Sequence, residues 1–261
     1  MITLTVVIPI YNEENRIEKS IKALKKGFNF NGIELKKVIF VDDGSIDKVK
    51  RKLKQAQLKK NLNTSYQLIS YKKNRGRGHA VKVGVQFSHS DYVLYMDADF
   101  SIPLNNLNKF IPYMEEEYDV ISGSKKMPES IAKIPRGIVR NIVGYGHSII
   151  ASLMLGVFYW DFQGGFKIFS KRYIKEVFPM LKIDRWGFDM EVLFLAKKMG
   201  FKTKELPVTW SHVDKDSKVK LARDITKSLK DILEIQINWL TGKYHYHYRK
   251  FFPAMLDFRY L

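Results

Sequence analysis

The sequence predicts an α/β protein in which a mostly parallel sheet is covered by helices. Three observations lead there. Short β-branched runs alternate with polar segments of helical period through the first half, which implies right-handed crossovers. Four successive strand ends carry polar or charged residues, the arrangement expected where ligands bind beyond the carboxyl ends of such a sheet. Of 261 residues, 45% are hydrophobic and 28% charged, which supplies a sizeable core and argues against a disordered chain.

The first run, Leu4 to Ile10, is a β-branched strand. The segment after it carries Ile17, Ile21 and Leu24 at helical spacing and stops at Gly27. A second strand, "KKVIFVDDGS", precedes a basic helix, "KVKRKLKQAQLKK". "SYQLISY" is a third, followed by the loop "NRGRG" and the helix "HAVKVGVQFS"; "YVLYMDAD" is the fourth. The second half is less regular. "YDVISGSKKM" reads as a strand entering a basic loop, "DFQGGFKIFS" and "FKTKELPVTW" as further strands, and "FDMEVLFLAKKMG" as a helix. Leu221, Ile225, Leu229, Ile232, Leu233 and Ile237 recur at the spacing of an amphipathic helix.

Charge and composition narrow the classes. Lys and Arg number 45 against 27 Asp and Glu, a formal net charge of +18. Such a surface seeks polyanions: nucleic acid, anionic headgroups or phosphorylated substrates. With no cysteine, a disulfide scaffold and a cysteine-based zinc site are excluded. The opening residues have no basic segment followed by an apolar run and a cleavage site, so no secretory signal is expected. The run Ile142 to Trp160 approaches the ~20 residues of a membrane span. His147, several small residues and the flanking Arg136 and Arg140 favour interfacial or buried packing instead.

The chemistry concentrates at the strand ends. Tyr11, Asn12 and Glu13 follow the first strand, Asp42 and Asp43 the second, Asn74, Arg75 and Gly76 the third, and Asp97 and Asp99 the fourth. Two carboxylates one residue apart resist ionising together unless a cation joins them or water solvates them. Asp also suits turns and helix caps, so the pair alone leaves a turn open. Its convergence with the other strand ends favours a cleft. A basic nucleic-acid-binding protein leaves these carboxylates unexplained, since they repel phosphate without a metal. A nicotinamide-dependent dehydrogenase is set aside because no G-x-G-x-x-G follows a strand in the first crossover.

Taken in order, "VVIPIYNEE", "VDDGSID", "NRGRGHAVKVG", "MDADFSIPLNNL", "DFQGGFKIFS", "RWGFDMEVLFLAKKMG" and "ELPVTW" resemble the inverting family 2 glycosyltransferases of GT-A fold. Within these, the likeness is to the branch of dolichyl-phosphate glucosyltransferases and mannose synthases, and it covers roughly residues 4–240. The resemblance implies a GT-A catalytic domain over 1–215 and a C-terminal amphipathic helical tail over 216–261, at a membrane interface. It implies transfer of a hexose, glucose before mannose, from UDP-glucose or GDP-mannose to polyprenyl (dolichyl) phosphate. A family 2 enzyme extending a glycan through a sugar hydroxyl is the alternative. The expected setting is peripheral, on the cytoplasmic face of an anionic membrane, with no nucleic-acid partner.

Site roles follow from the same resemblance. Asp99 is the first choice to hold Mg²⁺ or Mn²⁺, with Asp97 bridging metal and ribose; Ser101 stands where mannose synthases often supply a further ligand. Pro9, Tyr11, Glu13 and Asp42 frame base and ribose, with Asp43 either sharing that task or capping the turn. In the next loop Arg75 and Arg77 meet pyrophosphate while Gly76 and Gly78 allow close approach, or the loop is a simple turn. Lys125, Arg136 and Arg140 match the acceptor-phosphate positions, Arg140 being nearest the chemistry. Asp189 is a base, a donor-sugar contact or a helix cap, and Asp161 has no assigned role.

Overall fold

The computed structural model describes residues 1–25, 30–58, 65–134, 137–211 and 221–244. The strands are β1 (Ile2–Ile10), β2 (Ile33–Asp42), β3 (Tyr66–Ser70), β4 (Tyr92–Met96), β5 (Val120–Ser124), β6 (Ile131–Ile134), β7 (Phe166–Ser170), β8 (Thr203–Pro207) and β9 (Thr209–Ser211). Seven of them form one sheet in the order β3-β2-β1-β4-β7-β5-β8. Strands β1 to β4 are mutually parallel, as the alternation predicts. Strand β7 runs against both of its neighbours, and β5 is parallel to β8. Strands β4, β5 and β7 are buried throughout, which is why they read as continuous runs without alternation. The pair β6–β9 was not expected from the sequence. All four residues of β6 are exposed, so its short apolar run reports no burial and is too brief to read as a strand.

Helices cover both faces. On one side lie α1 (Ile17–Lys25), α2 (Val49–Leu58) and α4 (Ile111–Glu115), over Val6, Ile8, Phe40 and Leu94. The other carries α3 (Arg77–Gln86), α5 (Ile138–Leu155), α6 (Lys171–Val177), α7 (Phe188–Lys198) and α8 (Leu221–Leu240), over Val7, Ile39, Val41, Val93 and Tyr95. The strands therefore split their side chains between two cores with the period of two that a pleated strand imposes.

Strand β7 matters for the site. Because it is antiparallel, the loop before it emerges at the same edge as the ends of β4 and β5. Met96 pairs with Phe166, and the Asp97 N–H donates to the Gly165 carbonyl at 3.1 Å. One edge of the sheet thus receives residues 11–13, 42–45, 97–101, 124–126 and 161–165.

The apolar run that the sequence singled out is mostly α5. Ala151 and Leu155 are buried, while Ile138, Ile142, Tyr145, Ile149 and Leu153 form an exposed row along the helix. Helix α8 packs beside it and joins the core through Ile232 and Ile235, with Trp239 edge-on to Phe194 at 5.4 Å. Leu233, Ile237 and Leu240 remain exposed on its outer side. Among the described residues, no helix is long and apolar enough to cross a membrane.

Candidate active site

The turns after β1 and β2 are laced together. The Asn12 N–H donates to Ser45 Oγ at 2.9 Å, and the Ile46 N–H donates to Asn12 Oδ1 at 2.9 Å. Tyr11 is exposed beside this turn, Pro9 lies opposite Val41 within the sheet, and Glu13 faces Arg16 at 3.5 Å.

Asp42 and Asp43 are both buried and face different tasks. Asp42 accepts from the Ser45 N–H at 3.1 Å and Ser70 Oγ at 2.9 Å, with Lys50 Nζ at 3.4 Å. Asp43 reaches across to the next loop. It accepts from Asn74 Nδ2 at 2.7 Å and from the backbone N–H groups of Arg75 and Gly76, both at 2.8 Å. Gly76 has φ 113, and a Cβ there would come within 2.6 Å of the Asp184 carbonyl. This glycine is required by the neighbouring protein backbone itself. The Arg75 side chain is exposed and lies 3.7 Å from Asp184.

At the end of β4 the two carboxylates differ. Asp97 faces Arg77 Nη1 and Tyr95 Oη, each at 3.3 Å. Burial and the neighbouring Asp99 push its pKa up, against the pull of Arg77 and Lys125. Asp99 accepts one bond, from the Ser101 N–H to Oδ1 at 2.8 Å; among the described residues its other oxygen has no hydrogen bond. Two mutually repelling carboxylates, one with an open oxygen, fit a hard divalent cation such as Mg²⁺ or Mn²⁺. Among the described residues no cluster of three or more Asp, Glu or His forms a protein-only cage, so a cation held by this pair would draw the rest of its shell from phosphate or water oxygens.

Two residues with little sequence signal complete this region. Lys167, in the middle of β7, is fully buried and donates to Asp189 Oδ1 at 2.8 Å and to the Gly164 carbonyl. Trp186 is 45% exposed and stacks over the Arg77 guanidinium, 4.3 Å from its ring centroid. Asp189, in the first turn of α7, is fully buried between Lys167 and Arg77. The one hint of Lys167 was a cation inside the otherwise apolar run "FKIF".

On the other side of the carboxylate pair, Lys125 Nζ donates to Ser101 Oγ at 2.9 Å and sits 5.7 Å from the Trp210 ring centroid. Lys126 Nζ ties β5 to α5 by donating to the Gly144 carbonyl and Ser148 Oγ, both at 2.8 Å, and lies 3.4 Å from Asp161. Burial would raise Asp161, but Lys126 and the Lys125 N–H prevail and hold it below the ordinary carboxylate range. Lys125, Lys126, Met127, Asn141, Tyr145 and Trp210 line a recess of about 200 Å³ beside the start of α5. Arg136 lies outside the described residues. Arg140 is in the first turn of α5, and its side chain is likewise outside the description.

Comparison with known proteins agrees with this arrangement. The family described as "Glycosyl transferase family 2" matches residues 5–178. A dolichyl-phosphate beta-glucosyltransferase of Dictyostelium discoideum is 32% identical over 258 residues, covering 92% of this chain and 76% of that protein. The protein of the same name from Saccharomyces cerevisiae is 32% identical over 262 residues, 93% of this chain and 77% of its own length. Among solved structures, glucosyl-3-phosphoglycerate synthase of Mycobacterium tuberculosis, in complex with Mn²⁺, UDP-glucose and glycerol 3-phosphate, superposes with a TM-score of 0.64 at 16% identity. That match covers 90% of this chain and 80% of the other, and at this identity it speaks for the fold alone.

Proposed function

The chain belongs to glycosyltransferase family 2, and on that footing we propose that it transfers glucose from UDP-glucose to the phosphate of dolichol or a related polyprenol, with inversion at the sugar carbon. The observation that carries the reading is the Asp97/Asp99 pair between two cationic regions: the Arg75–Arg77 loop on the donor side, and Lys125 and Lys126 at a recess beside α5. A divalent cation bound there would neutralise charge building on the leaving pyrophosphate.

The acceptor sets the remaining chemistry. A lipid phosphate is already an anion, so it attacks the sugar carbon with little need of a proton acceptor and requires cations to hold it. Lys125 serves that purpose, with Arg136 and Arg140 as further candidates, while Lys126 is tied to Gly144, Ser148 and Asp161 and shapes the recess. Asp189 is ion-paired on both oxygens, which weighs against the alternative of attack by a sugar hydroxyl, where a free base is needed. A polyprenyl chain stays in its bilayer, so the enzyme must approach it. The exposed rows on α5 and α8 suit the headgroup region of the cytosolic leaflet, assisted by the positive net charge.

The test is a panel of UDP-glucose and GDP-mannose against dolichyl phosphate and oligosaccharide acceptors, with Mn²⁺, with Mg²⁺ and after EDTA. The expected result is glucosyl transfer to the lipid phosphate, lost on chelation. Transfer to oligosaccharide with none to lipid phosphate would overturn the acceptor, and full activity in EDTA would overturn the metal.

A further inference from the structure

Between the carboxylate pair and α7 runs a chain of four alternating charges, Asp97, Arg77, Asp189 and Lys167, fully buried at Asp189 and Lys167 and partly exposed at Arg77 and Asp97. Arg77 is its centre. One terminal nitrogen faces Asp97 at 3.3 Å and the other holds Asp189, while its buried Nε has no hydrogen-bond partner among the described residues. The guanidinium is therefore oriented by the two carboxylates at the expense of its own third donor. Tyr95 lies 5.8 Å from it at ring centroid distance and Trp186 covers it at 4.3 Å, so the fork has little freedom. Asp189 is as tightly fixed, being fully buried, and Lys167 takes its second oxygen. Within this chain of four the charges balance, and Asp99 lies outside it.

We propose that Arg77 is the positioning residue of the cation site, fixing the Asp97 carboxylate from behind, and that Asp189 acts as the anchor of Arg77 and not as a proton acceptor. The inference rests on the divalent-cation reading above and extends it to residues that touch neither cation nor acceptor. Lysine cannot replace the arginine, because one ammonium does not span two carboxylates with a rigid fork. Lys167 acts one step further back, keeping Asp189 oriented toward Arg77. Removing partners that orient a metal ligand typically weakens metal affinity by about 10- to 100-fold.

The experiment measures Mn²⁺ binding to the full chain in the presence of UDP, by calorimetry, with no acceptor and no turnover. Arg77→Lys and Asp189→Asn are each expected to weaken Mn²⁺ by about tenfold or more, and Lys167→Met by a smaller factor in the same direction. Steady-state kinetics should show donor KM rising and kcat falling while KM for the lipid phosphate stays put. Circular dichroism verifies folding, and should one variant fail to fold, the others carry the test. Wild-type Mn²⁺ affinity in folded Arg77→Lys and Asp189→Asn overturns the proposal. So does a loss of kcat in Asp189→Asn with Mn²⁺ and donor binding intact, the signature of a missing base. Asp99→Ala serves as the control: if it too binds Mn²⁺ normally, the cation site itself has been misassigned, which is a different failure.

Discussion

At the scale of single residues, Asp99 and Asp43 mark what the sequence discloses and what it hides. Asp99 stood out because its strand end converges with three other polar ones, and in the structure one of its oxygens accepts no hydrogen bond among the described residues. Replacing it by alanine is expected to lower metal-dependent transfer by at least about a hundredfold, since a metal's charge stabilisation amounts to several kcal/mol. Mn²⁺-dependent glucosyl transfer, with circular dichroism as the check on folding, measures this. Asp42 and Asp43 could not be told apart by reading. They are adjacent, both acidic and both at a strand end, and only the fold shows that Asp43 reaches the 74–76 loop. The pairing of Arg77 with Asp189 was equally hidden, because no local spacing relates partners separated by 112 positions.

At the scale of elements, the four parallel strands were legible because β-branched runs, turn residues and helical periods alternate cleanly there. Strand β7 was legible as a strand, but its direction was not, since a short buried run carries no sign of which neighbours it will meet. That direction explains the two glycines before it. A Cβ on Gly164 would strike the Gly123 carbonyl of β5, a rigid partner, whereas one on Gly165 would strike the Asp97 carboxylate. The expected outcomes therefore diverge. Gly164→Ala lowers the melting temperature, because backbone must shift. Gly165→Ala leaves it closer to wild type and depresses kcat by displacing the carboxylate, as a 1 Å misplacement can cost about a hundredfold. Thermal melts and transfer assays on the two variants, side by side, check the division.

At the scale of the whole molecule, the outward rows of α5 and α8 and the net charge of +18 predict salt-sensitive binding to anionic vesicles. Ile142→Glu together with Ile149→Glu should abolish flotation with such vesicles at low salt while leaving hydrolysis of UDP-glucose intact. A pH dependence of stability has a separate source. Glu191 in α7 accepts from the Lys182 and Ile183 N–H groups at 2.8 and 3.0 Å and from Tyr244 Oη at 2.6 Å, joining a loop and the turn after α8 to one buried carboxyl. Burial pushes it up to about 7 from 4.5. The native state thus keeps a proton that the unfolded chain releases, so stability falls as pH rises between these values and levels off above them. The full effect is on the order of 3 kcal/mol. Denaturation from pH 5 to pH 8 should show a steeper loss in the wild type than in Glu191→Gln. Strand β7, finally, governs the order in which the molecule can be assembled. It joins β4 to β5, yet it is synthesised after both. A nascent chain that has left the ribosome as far as β5 therefore exposes two unpaired apolar edges at once, and these close only when Phe166–Ser170 emerges. During that interval the open edges are a place where another chain can pair.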